Sequence, residues 1–182
     1  MNRIIEADLF RHGGLKGTRG LLRGLSYPAF RFTYFLRKAS FNNKRSLAGI
    51  FYRLMVRRYS HKFGYQIPVT TKIGEGLYIG HFGTIVINAH TTIGKYCNLA
   101  HGVTIGRTNK GQKKGVPVIG DYVWIGTGAV IVGGITIGDK VLIAPNAYVN
   151  FDVPSHSIVI GNPAKIISRE DAVEDYINYI LP

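Results

Sequence analysis

The chain has 182 residues, and 46% of them are hydrophobic, which suits one domain with a core of its own and an appended segment. A single cysteine excludes a disulfide framework, and no apolar run reaches the length of a transmembrane helix. The N-terminus lacks the apolar stretch of a signal peptide, so we expect a cytoplasmic protein.

The net charge of +13 is concentrated at the start of the chain. Residues 1–65 hold 14 Lys and Arg against 2 acidic residues, whereas residues 66–182 hold 9 against 8. Aromatic residues lie among these basic ones, and we expect a basic module of two or three short helices broken by glycines. This composition has two interpretations. The module packs on the rest of the chain, or it makes peripheral contact with the inner face of an anionic membrane. Nucleic-acid binding is disfavoured because no recognition motif is present.

A six-residue repeat occupies the middle of the chain. From Ile67 to Val149 an aliphatic residue returns every six positions, usually followed by glycine or another small residue. This period fits neither an α-helix nor an ordinary strand and is typical of a hexapeptide parallel β-helix. The first and fifth residues of each hexad should face inward, and the fifth positions are small or slim. Cys97 is one of them, so we interpret this cysteine as a core residue.

The first break in the repeat falls in the sequence GHFG. Ile87 follows Ile79 by eight residues rather than six. Counting hexads across this slip places His81 and His101 at the same position of successive coils. The register therefore predicts that the two histidines stack on one edge, about one strand spacing apart.

The second break separates Ile105 from Ile119 by 14 residues rather than the 12 of two hexads. Its polar, basic and glycine-containing sequence predicts a protruding loop at 107–117. We therefore divide the chain into a helical module at 1–65, a β-helix at 66–167 and a tail at 168–182. The tail is acidic, and we expect it to form a short helix.

Four segments carry a resemblance to a known family: GEGLYIGHFGTIVIN, NLAHGVTIG, VPVIGDYVWIGTGAVIVGGITIG and IVIGNPAKII. They resemble the hexapeptide-repeat acyltransferases, and most of all the serine acetyltransferase-like branch. The resemblance covers about residues 60–167. It implies a mainly β fold built on a left-handed parallel β-helix, a homotrimer with active sites between subunits, and acetyl-CoA as the donor.

The resemblance also implies His81 as the general base that takes a proton from an acceptor hydroxyl. His101 does not match the family's base and is a second candidate catalytic residue through its predicted stacking on His81. His90 and His156 are interpreted as surface residues, and His12 and His61 lie outside the repeat. The histidines follow no metal-ligand spacing, so we predict no metal site.

For the donor, the resemblance implies contacts along the groove between coils. Small residues there would let a thioester arm approach the backbone, and the candidates are Gly126, Thr127 and Ala144. Lys165 in GNPAK is the candidate for a CoA phosphate, as a mobile point charge. Lys113 and Lys114 in the loop are further candidates, although a solvated charge run is an equally good interpretation of them.

Three positions depart from the serine acetyltransferase pattern. An Asp that lies 15 residues before the base is Gln66 here, an Asp directly before the base is Gly80, and a second active-site His is Val116. Because a small zwitterion needs charged partners, these departures favour O-acetylation of a sugar of a polysaccharide or its precursor. Serine O-acetylation, N-acetylation of an amino-sugar and a non-catalytic trimeric scaffold remain the alternatives.

Overall fold

The computed structural model describes residues 2–182, in which four α-helices precede fifteen short strands. The helices are α1 (Arg3–Phe10), α2 (Gly17–Gly24), α3 (Pro28–Phe41) and α4 (Leu47–Phe63). The strands of the first three coils are β1 (Tyr65–Gln66), β2 (Lys72–Ile73), β3 (Tyr78–Ile79), β4 (Ile85–Ile87), β5 (Thr92–Ile93), β6 (Asn98–Leu99), β7 (Thr104–Gly106), β8 (Val118–Ile119) and β9 (Trp124–Ile125). The others are β10 (Val130–Val132), β11 (Thr136–Ile137), β12 (Val141–Ile143), β13 (Tyr148–Val149), β14 (Ser157–Ile160) and β15 (Lys165–Ser168).

The strands form three parallel sheets, one on each face of a solenoid. Face A has the order β1-β4-β7-β10-β13, face B the order β2-β5-β8-β11, and face C the order β3-β6-β9-β12-β14. β15 closes face C by pairing antiparallel with β14. From β1 to β13 every third strand therefore returns to the same face, as a hexapeptide repeat requires. The prediction of a mainly β fold is confirmed, and the solenoid of about five turns is consistent with a left-handed β-helix.

The inward positions of the hexads build the core of the solenoid. Aliphatic first residues such as Ile79, Ile105 and Ile131 are at most 1% exposed. Most predicted fifth positions are also buried, whereas Gly83, inside the slip, is only half-buried. Removing these side chains from water gives the coil most of its stability, because the short strands offer few hydrogen bonds each.

The loop at 107–117 inserts more residues into the repeat than the predicted two. Ile105 lies in β7 on face A, and Ile119 lies in β8 on the next face. The 14-residue step is therefore one hexad with eight extra residues, not two hexads with two extra. A bridge between Thr108 and Gly115 closes the base of the loop, so the insertion protrudes without displacing the coil.

The helical module contains one helix more than predicted, because α2 forms in spite of its glycines. A side-chain carbon at Gly24 would lie 2.5 Å from Cδ1 of Leu9 and 2.9 Å from Cδ1 of Phe30. The glycine thus allows α2 to approach the small core of α1 and α3 closely, and this packing compensates for its low helix propensity.

A buried ion pair fastens the helical module to the first coil. Arg37 of α3 donates to both carboxylate oxygens of Asp8 in α1, at 2.8 and 3.2 Å. The same guanidinium donates to the carbonyl oxygens of Ile73 and Gly74 at 2.6 and 2.5 Å. Asp8 also accepts from the amide of Leu77 at 2.9 Å. Burial raises the pKa of Asp8, and Arg37 opposes that shift.

One face of α4 carries an exposed apolar stripe at helical spacing. Leu47 is 89% exposed, and Ile50, Phe51 and Leu54 are about half exposed. Within residues 2–182 no helix combines the length and apolar character needed to cross a bilayer. Contact of this basic module with a membrane surface therefore stays a prediction.

The predicted C-terminal helix is wrong: residues 169–176 form successive turns. Their amides bond three residues back, as in Ala172 to Arg169, and Asp175 takes a left-handed φ of 62°. Backbone carbonyls of the tail accept hydrogen bonds from side chains of the solenoid. Nδ2 of Asn98 donates to the carbonyl of Tyr176 at 3.0 Å. These long-range bonds hold the tail against face C.

Candidate active site

His81 and His101 lie on one edge of the solenoid, where face C turns into face A. Ile79 pairs with Leu99 in the sheet, so the residue two places after each occupies the same corner. The two imidazole rings meet edge to face, with their centroids 5.8 Å apart. The predicted stacking is confirmed, and both side chains are exposed at the corner.

The end of α4 fixes the backbone of the GHFG turn. The amide of Gly83 donates to the carbonyl of Phe63 at 2.9 Å, and the hydroxyl of Tyr65 donates to the carbonyl of His81 at 3.1 Å. Gly64 has a left-handed φ of 82°, and a side-chain carbon there would lie 2.9 Å from the carbonyl carbon of Gly83. The helix end and the slipped corner therefore form one tightly packed unit that holds His81 in place.

A cavity of about 510 Å³ opens beside His81, between the helical module and the solenoid. Its walls come from the end of α1, the start of α3, the GHFG turn and the tail. The ring of His12 packs between Tyr27 and Tyr78, at centroid distances of 5.7 and 5.1 Å. Phe82, which is 71% exposed, and Tyr179 of the tail also line the space. A molecule in this cavity would lie next to the exposed imidazole.

His12 is a cavity residue that the sequence did not single out. Burial and the neighbouring Arg11 lower its pKa to about 4, so its imidazole is neutral near pH 7. Arg11 itself is 5% exposed, and burial lowers its pKa to about 10. The sequence offered only a weak signal for this pair, the basic dipeptide directly before the Gly13–Gly14 break.

The candidate donor contacts Gly126, Thr127 and Ala144 lie further along the same corner. The amide of Gly126 donates to Ile143 and that of Ala144 donates to Val159, both at 2.8 Å. Because these amides hold successive coils together, a thioester arm would meet Gly126 and Ala144 by close packing rather than through free N–H groups. Thr127 occupies the corner position of His81 two coils further on.

The three candidate lysines differ in their surroundings. Nζ of Lys113 forms an ion pair with Asp152 at the surface, which links the loop to the solenoid. Lys114 and Lys165 are exposed. Lys165 begins β15 at the far end of face C from the helical module.

Of the other histidines, Nδ1 of His156 lies 2.9 Å from Oε2 of Glu170 in the tail, and His90 and His61 are exposed. Across residues 2–182 no group of three His, Cys, Asp or Glu side chains is arranged to hold a metal ion.

Cys97 is expected to resist alkylation in the folded protein. Its side chain is fully buried, and burial raises the pKa of the thiol to about 12, so the reactive thiolate is absent near pH 8. Mass spectrometry after iodoacetamide treatment at pH 8 should find no label on the native protein and full labelling in urea. Equal labelling with and without urea would contradict the core assignment.

Comparisons with known proteins agree with this geometry. The family described as bacterial transferase hexapeptide (six repeats) matches residues 117–150. A serine acetyltransferase of Synechococcus elongatus is 32% identical over 176 residues, which cover 97% of this chain and 69% of that protein. The chain belongs to the serine acetyltransferase-like branch of the hexapeptide-repeat acyltransferases.

Two further members of the family show how far the likeness extends. Serine acetyltransferase 2 of Arabidopsis thaliana is 41% identical over 134 residues, and these span 68% of this chain but 42% of that protein. A crystal structure of the Brucella abortus serine acetyltransferase in complex with coenzyme A is 27% identical, with a TM-score of 0.74. It covers 91% of this chain and 67% of that one. The chain is thus shorter than these family members.

Of the three departures from the family pattern, Gly80 lies at the corner of His81. Gln66 is exposed in β1, beside Val86 on face A. Gly80 directly precedes His81, and Val116 is half-buried at the base of the loop. In residues 2–182 no side chain forms a hydrogen bond with the His81 ring. The imidazole is therefore positioned by its backbone and by His101 rather than by a carboxylate.

Proposed function

We propose that the chain is an acetyl-CoA-dependent O-acetyltransferase in which His81 is the general base. The observation that supports this most strongly is the position of His81, at a slipped corner of the solenoid and next to a cavity. The coenzyme A complex of the Brucella abortus relative supports acetyl-CoA as the co-substrate. The small residues Gly126 and Ala144 along the same corner leave room for a narrow thioester arm.

The proposed reaction is direct transfer between two bound substrates. Acetyl-CoA supplies the acetyl group as an activated thioester. The imidazole of His81 takes the proton of the acceptor hydroxyl while the hydroxyl oxygen bonds to the acetyl carbon, which gives a tetrahedral intermediate. This intermediate collapses with cleavage of the bond between the acetyl carbon and the coenzyme sulfur, and the imidazolium of His81 returns the proton to that sulfur, so the coenzyme leaves as its thiol. Holding both substrates at one corner lowers the entropic part of the barrier.

Serine is the acceptor that the comparisons favour. The match over 97% of this chain is to a serine acetyltransferase, and the plant relative carries the same name. The polysaccharide acceptor expected from the sequence receives no support from them. We therefore place serine O-acetylation first, as the activity to be tested before any other.

A sugar hydroxyl is the second candidate acceptor, because of two observations on this chain. Gln66, Gly80 and Val116 stand at the positions where the serine acetyltransferase pattern has two carboxylates and an imidazole. The cavity beside His81 has aromatic walls, which suit stacking against an apolar face of a sugar ring.

We also propose that the chain acts as a homotrimer. The amides of Gly80, Gly83 and Gly102 near the two histidines already donate within the chain. A second copy of the chain at this exposed corner would add donors for the charge that develops on the acetyl oxygen. Sedimentation at several concentrations tests the trimer, and a monomeric active enzyme would contradict it.

The activity test measures release of free thiol from acetyl-CoA with a panel of acceptors. We expect turnover with L-serine above the rate without acceptor. Turnover with a uronic acid or a neutral sugar, and none with serine, would favour a sugar hydroxyl as the acceptor. Turnover confined to glucosamine would indicate N-acetylation. No binding of acetyl-CoA by calorimetry would indicate the non-catalytic scaffold and contradict the proposal.

A further inference from the structure

Arg11 is a buried cation without an anionic partner. It is 5% exposed, and its Nη2 donates to Oδ1 of Asn98, a neutral acceptor. Its Nε and Nη1 are buried and have no hydrogen-bond partner in the described structure. Its guanidinium carbon lies 5.7 Å from the centroid of the Tyr78 ring. Burying two donors of a charged group without hydrogen-bond partners lowers the stability of the fold, so this arrangement requires an explanation.

The folded chain offers Arg11 no carboxylate. The nearest acid on its own helix, Asp8, gives both oxygens to Arg37. Arg11 nevertheless lines the cavity beside His81, and none of the residues around that cavity is an Asp or a Glu. The neighbouring His12 is neutral, so it does not repel a second cation or compete strongly for an anion.

We propose that the cavity beside His81 binds a carboxylate of the acetyl acceptor through Arg11, so the acceptor is a hydroxyl compound that carries a carboxylate. This inference rests on the proposed function. Binding requires the guanidinium to turn toward the cavity, which exchanges one hydrogen bond to Asn98 for a bidentate pair with the ligand. The acceptor hydroxyl then lies toward the exposed imidazole of His81, because both residues line the same space.

The residues that line the cavity include the cation Arg11 but no Asp or Glu that would pair with an ammonium group. The carboxylate is therefore the charged group of the acceptor that this site would recognise, with or without an ammonium group beside it. Both a free hydroxy or amino acid and a uronic acid carry this group, and paired acceptors distinguish the two sources.

The test compares two matched pairs, L-serine with L-serinamide and D-glucuronate with D-glucose. In the wild-type protein we expect the carboxylate member of the productive pair to have the lower KM. In Arg11→Met we expect that KM to rise by about ten- to a hundredfold, while the KM of the member without a carboxylate changes by less than about threefold. The identity of the productive pair tells whether the source is an amino acid or a uronic acid.

A second readout separates ligand binding from a structural role. Because Arg11→Met removes an unpaired buried charge, the Tm should stay equal or rise. Arg11→Lys keeps the charge but loses the bidentate geometry, and it should recover little of the affinity. Arg23→Met, an exposed residue of α2, is the matched control and should change neither quantity.

Equal KM values for both members of each pair in the wild type would overturn the inference while leaving the acetyltransferase proposal intact. A fall in Tm of Arg11→Met with unchanged KM values would also overturn it, because it would make Arg11 a structural residue. If no acceptor is turned over, calorimetry still tests the carboxylate site. L-serine and D-glucuronate are titrated into the wild type and into Arg11→Met, and their affinities are compared. Binding lost in the variant supports the site, and absence of binding to the wild type overturns it.

Discussion

Replacement of His81 by alanine is expected to lower kcat by about 10²- to 10⁴-fold, the usual contribution of a positioned general base. The imidazole lies at the corner where the cavity and the row of small residues meet, and the end of α4 fixes its backbone. The KM for acetyl-CoA should change little, since the proposed donor contacts lie one or more coils away. Thiol release at saturating acetyl-CoA measures both constants.

Two other histidines provide the controls. His90→Ala should retain full activity, because His90 is exposed in a bend between faces A and B. His101→Ala tests whether the stacked ring at 5.8 Å contributes to catalysis, and a loss much smaller than that of His81→Ala would make His101 a positioning residue. Undiminished kcat in His81→Ala would contradict the assignment of the base.

Replacement of Arg37 by alanine is expected to destabilise the protein by about 3–5 kcal/mol, because it leaves the buried Asp8 carboxylate unpaired. The substitution also removes the hydrogen bonds to the carbonyls of Ile73 and Gly74, which join the helical module to the first coil. Urea unfolding at one fixed protein concentration measures the free energy of unfolding, since association would otherwise shift it.

The ion pair of the exposed Arg3 with the mostly buried Glu75 supplies the control for Arg37. Arg3→Ala should cost at most about 1 kcal/mol, because Arg3 is solvent-exposed and Nζ of Lys95 still lies 3.9 Å from the Glu75 carboxylate. The double variant Asp8→Leu with Arg37→Leu should be more stable than Arg37→Ala, because it removes the unpaired charge together with its partner. A loss below about 1 kcal/mol in Arg37→Ala would contradict the view that this pair fastens the helices to the solenoid.

The solenoid could be predicted because its rule is local. Each hexad carries its own inward and turning positions, so counting from Ile79 to Leu99 was enough to stack His81 on His101. The loop was placed correctly but its length was misjudged, since the sequence does not show how many hexads a polar insertion replaces. Ile105 and Ile119 turned out to lie on adjacent faces.

The cavity beside His81 could not be predicted, because it depends on contacts between distant segments. Arg11 and Asn98 are 87 residues apart, and neither has a neighbour in sequence that indicates the contact. The tail escaped prediction for the same reason. Its acidic composition suits a helix, but its carbonyls bond to Tyr96 and Asn98 on the solenoid. Local propensity is overridden where such tertiary bonds are available.

The family membership and the departures lead to different acceptors. The match over 97% of this chain favours serine, whereas Gln66, Gly80 and Val116 replace polar residues of the serine acetyltransferase pattern. Arg11 offers a way to reconcile the two, since a carboxylate site in the helical module would serve an amino acid as well as a uronic acid. Under this proposal, the choice of acceptor depends on a part of the chain outside the repeat.

The most direct test of the proposed direct transfer is mass spectrometry of protein and product during turnover with ¹³C-labelled acetyl-CoA and L-serine or D-glucuronate. We expect the labelled acetyl group on an oxygen of the acceptor and none on the protein, because the buried Cys97 is inert and His81 acts only as a base. A labelled acetyl group on His81 or Cys97 that passes to the acceptor would contradict this account.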